Sequence, residues 1–464
     1  MVGMKKMIFV FIFLSFWARA QKNITTASDA TAPLHALKPD YPTSYGVPAV
    51  ADIQKTIDRV FDYLDRATPS NFVDKSSGRP WTPDLGYSDQ VVFVKGDFRP
   101  ISYEWGVTYS GMLNLYQLTG EAKYRDYVFK RLGLIASTIE SARKYDEANR
   151  LKVHVLKGLI QPKAVDDIGA MAMAVLKAKK SGFPIDMSYV TRRASDFILK
   201  EEHRLPDGTL VRVRPLKNTM WLDDVYMAIP ALLQLGIASN DEKYFDESFK
   251  QFSAYQKRMY NPSLNVFMHG YLEGAEAHPE FHWARANGWA LLTTSEMLMY
   301  LPANHPGRKF MEAQLKNHLK GLMSLQDGTG FWHQLLDKSD SYLETSATAI
   351  YAYVIANAIN KGWLDPKIYA PAAILAWNAV NSHVNAQGQV EGTCVGTGLA
   401  WDPAFYYFRP ISPFAAHGYG PTLLAGSAMM EMLKKYSFEI NDSAVHLRQR
   451  INDSSVPVIF LLNR

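Results

Sequence analysis

The chain predicts an all-α fold, arranged as a closed double ring of helical hairpins. Three observations carry this reading. About a dozen segments place apolar residues at helical spacing, while period-two alternation is almost absent. The first helices of successive pairs begin near Trp105, Asp167, Asp223, Trp283, Glu344 and Tyr419, mostly about sixty residues apart, with a longer final gap. These first helices are rich in Ala, Gly and Met and poor in charge after their first turn. Their partners carry Lys, Arg and Glu on one side, as an outer layer requires. An open α-solenoid is the alternative arrangement.

Residues 1–20 read as a targeting segment. Lys5 and Lys6 precede an apolar run over 7–17, and Ala18-Arg19-Ala20 follows with the small-x-small cleavage pattern. Export to the periplasm or the extracellular space is expected, with cleavage before Gln21. No later stretch is long and apolar enough to span a bilayer, so the mature chain is expected to be soluble and free of the membrane. Residues 21–48 form a polar, proline-rich lead-in. The helical region fills 49–437, opening on a helix over 50–67 with Ile53, Ile57, Val60, Phe61 and Leu64 in register. A loop rich in Pro, Gly and Asp runs to about residue 100. Helix pairs then follow over 105–118 and 121–142, 167–180 and 187–200, 223–235 and 242–259. Further pairs cover 283–300 and 305–325, then 343–360 and 366–384, before a last helix over 420–435. The tail, 438–464, fits neither layer.

Composition narrows the function. With 47% hydrophobic and 20% charged residues among 464, the chain is ordinary globular protein. The net charge of +5 is dispersed, with no basic block, so no nucleic-acid partner is expected. One cysteine, Cys394, excludes an intrachain disulfide and a multi-thiolate metal site. No metal cluster, phosphate-binding glycine loop or nucleophile elbow is present, so neither metal nor cofactor is expected. Nothing in the sequence sets an oligomeric state.

In a closed ring the N-terminal ends of the inner helices gather at one face. Their first turns collect Tyr103, Glu104 and Trp105; Asp166 and Asp167; Trp221, Asp223 and Asp224; His282, Trp283, Arg285 and Trp289; Glu344; and His417 with Tyr419. The centre of this set is Trp221-Leu222-Asp223-Asp224. Adjacent helical residues point in different directions, so the two carboxylates cannot share one task. One is expected to face a pocket while the other stabilises the helix N-terminus; capping by both is the alternative.

These motifs carry a family resemblance. Trp221-Leu-Asp223-Asp-Val-Tyr-Met227 resembles the Trp-x-Asp-x-x-Tyr-Met signature of unsaturated rhamnogalacturonyl hydrolases, glycoside hydrolase family 105. Phe267-Met-His269-Gly-Tyr271 is similar to that family's His-Gly loop, and Trp283-Ala-Arg285-Ala-Asn287-Gly-Trp289 to its Trp-x-Arg-x-Asn-Gly-Trp block. Tyr342-Leu-Glu-Thr-Ser-Ala347, Gly392-Thr-Cys394 and Gly418-Tyr-Gly-Pro421 follow in family order. The resemblance covers about residues 50–436 and implies an (α/α)6 barrel, shared with the related family 88 glucuronyl hydrolases. The chain departs from the family in its leading segment, long lead-in and tail.

The resemblance implies a substrate: the oligosaccharides left by polysaccharide lyases, ending in a uronic acid with a C4=C5 double bond. It implies hydration of that vinyl ether, with rhamnogalacturonan, and so pectin, as the expected source. Such chemistry needs a carboxyl protonated at working pH, hence a desolvated or charge-crowded one. By its match, Asp223 is the expected acid and later base. Asp167, in Asp167-Ile168-Gly169, is a supporting acid that helps keep Asp223 protonated, or a simple N-cap. Arg285 and His269 would bind the substrate carboxylate and hydroxyls. Trp221, Trp283 and Trp289 would form the sugar platform, at least one of them belonging to the core, with Tyr103 among the binding residues. His282, Glu344, His333 and His417 would support them. Rival readings are a conventional inverting glycosidase, a barrel-fold epimerase and a secreted glycan-binding protein without activity.

Overall fold

The computed structural model describes residues 41–441 and 444–449, together with residues 28, 30 and 31. The expected targeting segment, most of the lead-in and the end of the tail lie outside the described residues.

Twelve long helices among the described residues form two concentric rings. The inner ring comprises α2 (Tyr103–Thr119), α4 (Gly169–Lys180), α6 (Asp224–Ser239), α8 (Ala284–Tyr300), α10 (Thr345–Asn360) and α12 (Tyr419–Lys435). The outer ring comprises α1 (Val50–Ala67), α3 (Ala122–Asn149), α5 (Ser188–Asp196), α7 (Lys243–Met259), α9 (Arg308–Ser324) and α11 (Pro366–Ser382). Each inner helix packs against the next, and α12 packs back on α2. The ring is therefore closed, which removes the solenoid and leaves the (α/α)6 barrel of six hairpins.

Sequence assigns each helix to its layer. After Asp224, α6 carries no charge, and it is buried almost throughout. In α1 only one face is buried, with Ile57, Val60 and Leu64 inaccessible. Burying one such side chain stabilises the fold by about 1.5–3 kcal/mol. The unpaired inner helix α12 takes its outer partner from the other end of the chain: α1 packs on it. Joining the two ends of the barrel makes the sixth hairpin.

Close backbone approach sets the inner ring's diameter. A methyl group on Gly169 would overlap the carbonyl oxygen of Met227 in α6. One on Gly420 would lie 2.8 Å from the amide nitrogen of Thr108. The ring thus has glycines where neighbouring helices touch.

Three local differences from expectation have simple causes. The loop between α1 and α2 contains a three-stranded sheet, in the order Pro80–Trp81, Phe72–Asp74, Val91–Phe93. Strands this short leave no readable alternation. The helix expected over 187–200 ends as α5 at Asp196 and continues as a wider π turn, Phe197–Glu201. The tail begins as a β-hairpin, Tyr436–Asn441 with Ala444–Gln449.

Gly169→Val should therefore force α4 and α6 apart. The expected cost is about 1–3 kcal/mol of overpacking, read as a lower midpoint in urea denaturation with an unchanged slope.

Candidate active site

The N-terminal ends of the inner helices share one pole. Tyr103 and Glu104, opening α2, line a cavity of about 470 Å³ together with Asp166 and Asp167, which precede α4. Glu104 also lines an adjoining cavity of about 350 Å³ with His417, which precedes α12.

A two-stranded ribbon brings the central motifs together. Thr219–Trp221 pairs antiparallel with Gly270–Leu272, so that Trp221 lies opposite Gly270. The Leu222 amide donates to the His269 carbonyl at 3.0 Å, extending the ladder. That register sets His269 Nε2 3.2 Å from Asp223 Oδ2. His269 is fully buried, whereas the Asp223 side chain remains 15% exposed at the head of α6.

The histidine's orientation is determined by its other nitrogen. His269 Nδ1 lies 2.8 Å from the Tyr406 hydroxyl. Burial pushes the Tyr406 pKa up, keeping its proton in place. Tyr406 thus holds one ring nitrogen, and Nε2–H at the other donates to the Asp223 carboxylate.

Charge around the site follows from partners more than from depth. Burial pushes the Asp223 carboxyl up. The His269 hydrogen bond and charge, with Arg212 and Arg285, outweigh burial and hold it below the ordinary aspartate value. The expectation of an Asp223 kept protonated by desolvation is corrected here: the free enzyme holds a carboxylate. Asp224 differs. Burial raises it to about 6 despite the Arg212 guanidinium. Glu202 is pushed up to about 8 by burial and by the charge of Asp224.

The two adjacent carboxylates divide their tasks, though not by capping. Neither side chain caps α6. Asp224 takes a two-point ion pair from Arg212, with Nε to Oδ2 at 2.9 Å. Arg212 also reaches Asp166 at 3.1 Å, and its guanidinium lies 4.4 Å from the centre of the Trp221 ring. The partly exposed Trp221 is thus backed by a buried cation.

The remaining expected residues are distributed as follows. Asp167 Oδ2 accepts from the amides of Lys163 at 2.7 Å and Ala164 at 3.2 Å, closing the turn before α4. Arg285 is 1% exposed and donates to the carbonyls of Cys394 and Val395, both at 2.7 Å. Its terminal nitrogens thus hold the loop before α12. Trp283 and Trp289 are each 1% exposed. Trp283 packs on His269 at 4.6 Å and Trp289 stacks on Tyr226 at 5.2 Å. Both are core beneath the site, where at least one of the three tryptophans was expected, and Trp221 alone keeps a partly exposed ring. The Tyr103 hydroxyl bonds His417 Nε2 at 2.6 Å. Glu344 caps α10 and also accepts from the Cys394 amide at 2.9 Å.

Arg212, Tyr406 and Glu202 escape sequence reasoning. Arg212 sits in Leu210-Val-Arg-Val-Arg214, an alternation that hints at a short strand. Tyr406 stands in an aromatic run far from either motif, and nothing local marks it.

Comparison with known proteins gives the class. Residues 85–433 match the model of Glycosyl Hydrolase Family 88. The protein belongs to this family and is a glycoside hydrolase. It is similar to an unsaturated rhamnogalacturonyl hydrolase, YesR, of Bacillus subtilis, with 26% identity over 65% of this chain and 87% of the relative. An unsaturated 3S-rhamnoglycuronyl hydrolase of Formosa agariphila is 27% identical over 46% of this chain and 58% of its own. The fold matches a possible GH105 member from Salmonella enterica with TM-score 0.65 and 23% identity, covering 88% of this chain and 97% of that one.

Two outcomes follow from this electrostatic arrangement. His269→Leu leaves burial as the main influence on Asp223, so its titration midpoint should rise above the ordinary value in carboxyl carbon-13 NMR. An unchanged midpoint would remove His269 as the cause. Glu202 in the fold carries a proton that the unfolded chain loses near its ordinary value of 4.5. Its contribution to stability is therefore full below that value and is lost as pH rises towards 8. Glu202→Gln should flatten the decline in stability between about pH 5 and 8, measured by chemical denaturation.

Proposed function

We propose that this hydrolase releases the terminal Δ4,5-unsaturated uronic acid from lyase-generated oligosaccharides, with unsaturated galacturonyl-rhamnose as the preferred end. The observation that carries the reading is one partly exposed carboxylate, Asp223, held by His269 beside the exposed face of Trp221. A compact site of this kind suits a single terminal sugar. The name of the Bacillus subtilis relative supports rhamnogalacturonan as the source. The leading segment supports export, which puts the enzyme where lyase products of pectin arise.

In the proposed reaction the terminal sugar stacks on Trp221 and displaces water from Asp223. The incoming uronate charge and the loss of water both raise the Asp223 pKa, so the carboxyl takes up a proton as substrate binds. Asp223 delivers that proton to C4, and positive charge develops at C5. The resulting carboxylate accepts a proton from the water that adds to C5. The hemiketal then opens and frees the neighbouring sugar. His269, held by Tyr406, keeps the carboxylate aimed throughout.

The test is the ultraviolet absorbance of the C4=C5 bond in unsaturated rhamnogalacturonan disaccharides. Wild type should bleach it, and Asp223→Asn should lose about 10²–10⁴-fold in turnover while still binding the disaccharide. Release of the neighbouring sugar with the absorbance intact would mean ordinary glycosidic cleavage. Absorbance and linkage both unchanged, with this substrate and with glucuronyl analogues, would overturn the reading.

A further inference from the structure

The opposite pole of the barrel holds a second cavity, partly open to solvent. A cavity of about 370 Å³ lies where the C-terminal ends of the inner helices converge, far along each helix from the first turns that build the catalytic pole. Its walls include Asn114 and Gln117 from α2, Lys177 from α4, Glu296 from α8, and Tyr353 and Asn357 from α10. Its size falls within the roughly 300–1,000 Å³ of small-molecule sites.

The lining carries more hydrogen-bonding capacity than the fold consumes. Lys177 Nζ holds Glu296 Oε1 at 2.7 Å. Glu296 Oε2, on a side chain only 4% exposed, has no hydrogen-bond partner among the described residues. A buried carboxylate oxygen left without a donor is costly and calls for one. Asn357 donates its amide to Ser295 Oγ at 3.1 Å.

Charge selects the class of occupant. An anion would face Glu296, Glu431 and the carbonyl ends of the inner helices, whose dipoles are negative here. A cation would face the ammonium groups of Lys177 and Lys361. An apolar molecule would strand the amides and the Glu296 oxygen. A neutral molecule rich in hydroxyls satisfies all three conditions, since each hydroxyl both donates and accepts. Tyr300 and Tyr353 add aromatic side chains to the lining. The geometry points to a second carbohydrate site at this pole, taking a neutral monosaccharide and independent of the catalytic centre.

The experiment is saturation-transfer difference NMR with L-rhamnose, D-galactose and D-glucose as probes. Wild type, Trp221→Ala, Asn357→Leu and Asn114→Leu are compared, each checked for native folding by circular dichroism and melting. At least one sugar should give a saturable signal that persists in Trp221→Ala. The same signal should weaken by about tenfold or more in apparent affinity in both leucine variants, which fill the cavity from different walls. If either leucine variant fails to fold, the other decides. The inference is overturned if no probe saturates, if the signal vanishes with Trp221→Ala, or if it survives in the folded leucine variants. None of these readings depends on turnover, so failure here leaves the proposed reaction untouched.

Discussion

Backbone contact between neighbouring inner helices is the constraint on which the rest of the structure depends. Where Gly169 meets the Met227 carbonyl and Gly420 meets the Thr108 amide, no side chain separates the helices. Six helices packed this closely must splay their first turns around one small pole. The polar residues of those turns are therefore brought together by the packing of apolar segments below them. Gly169 in the Asp167-Ile168-Gly169 element thus has a steric reason for being there, whatever task Asp167 performs.

The short ribbon across that pole converts proximity into alignment. Pairing Trp221 with Gly270 sets Leu222 against His269, which puts the histidine beside the next residue, Asp223. A slip of one residue would turn the histidine away, since strand side chains alternate. A methyl group on Gly270 would lie 2.6 Å from the end of the Leu399 side chain and push it aside. Electrostatics then separates three neighbouring acids by their partners. Asp223 has a histidine donor and two distant guanidinium charges, and it is held low. Asp224 has Arg212 yet is buried against other carboxylates, and it is raised. Glu202 has an unpartnered oxygen and is raised further.

The loop before α12 shows how the longer final gap in the helix repeat is used. Arg285 from α8 and Glu344 at the head of α10 both bond the backbone at Cys394, from opposite directions. Charge-assisted bonds to backbone are strong for their kind, and here they hold an irregular segment over the open pole. Tyr406, carried by the same segment, reaches back to His269. The family's Trp-x-Arg and Gly-Thr-Cys motifs thus meet in space as one latch.

The sequence by itself determined the layers of the barrel and the pole at which the polar first turns gather. Apolar period and charge placement decide which helices are inner and which are outer, and both are local properties of the chain. The Asp223 and His269 motifs were readable for the same reason, each being a short contiguous pattern. Tertiary structure alone decided the pairing of α1 with α12, because that contact joins segments more than three hundred residues apart in a chain of 464. It alone decided that Arg285 spends its terminal nitrogens on carbonyls and that Trp283 and Trp289 are floor, since residue type does not reveal which neighbour arrives. Arg212 and Tyr406 belong with these. Their roles depend on partners brought in by folding, and a side chain's charge, exposure and protonation belong to that assembled environment.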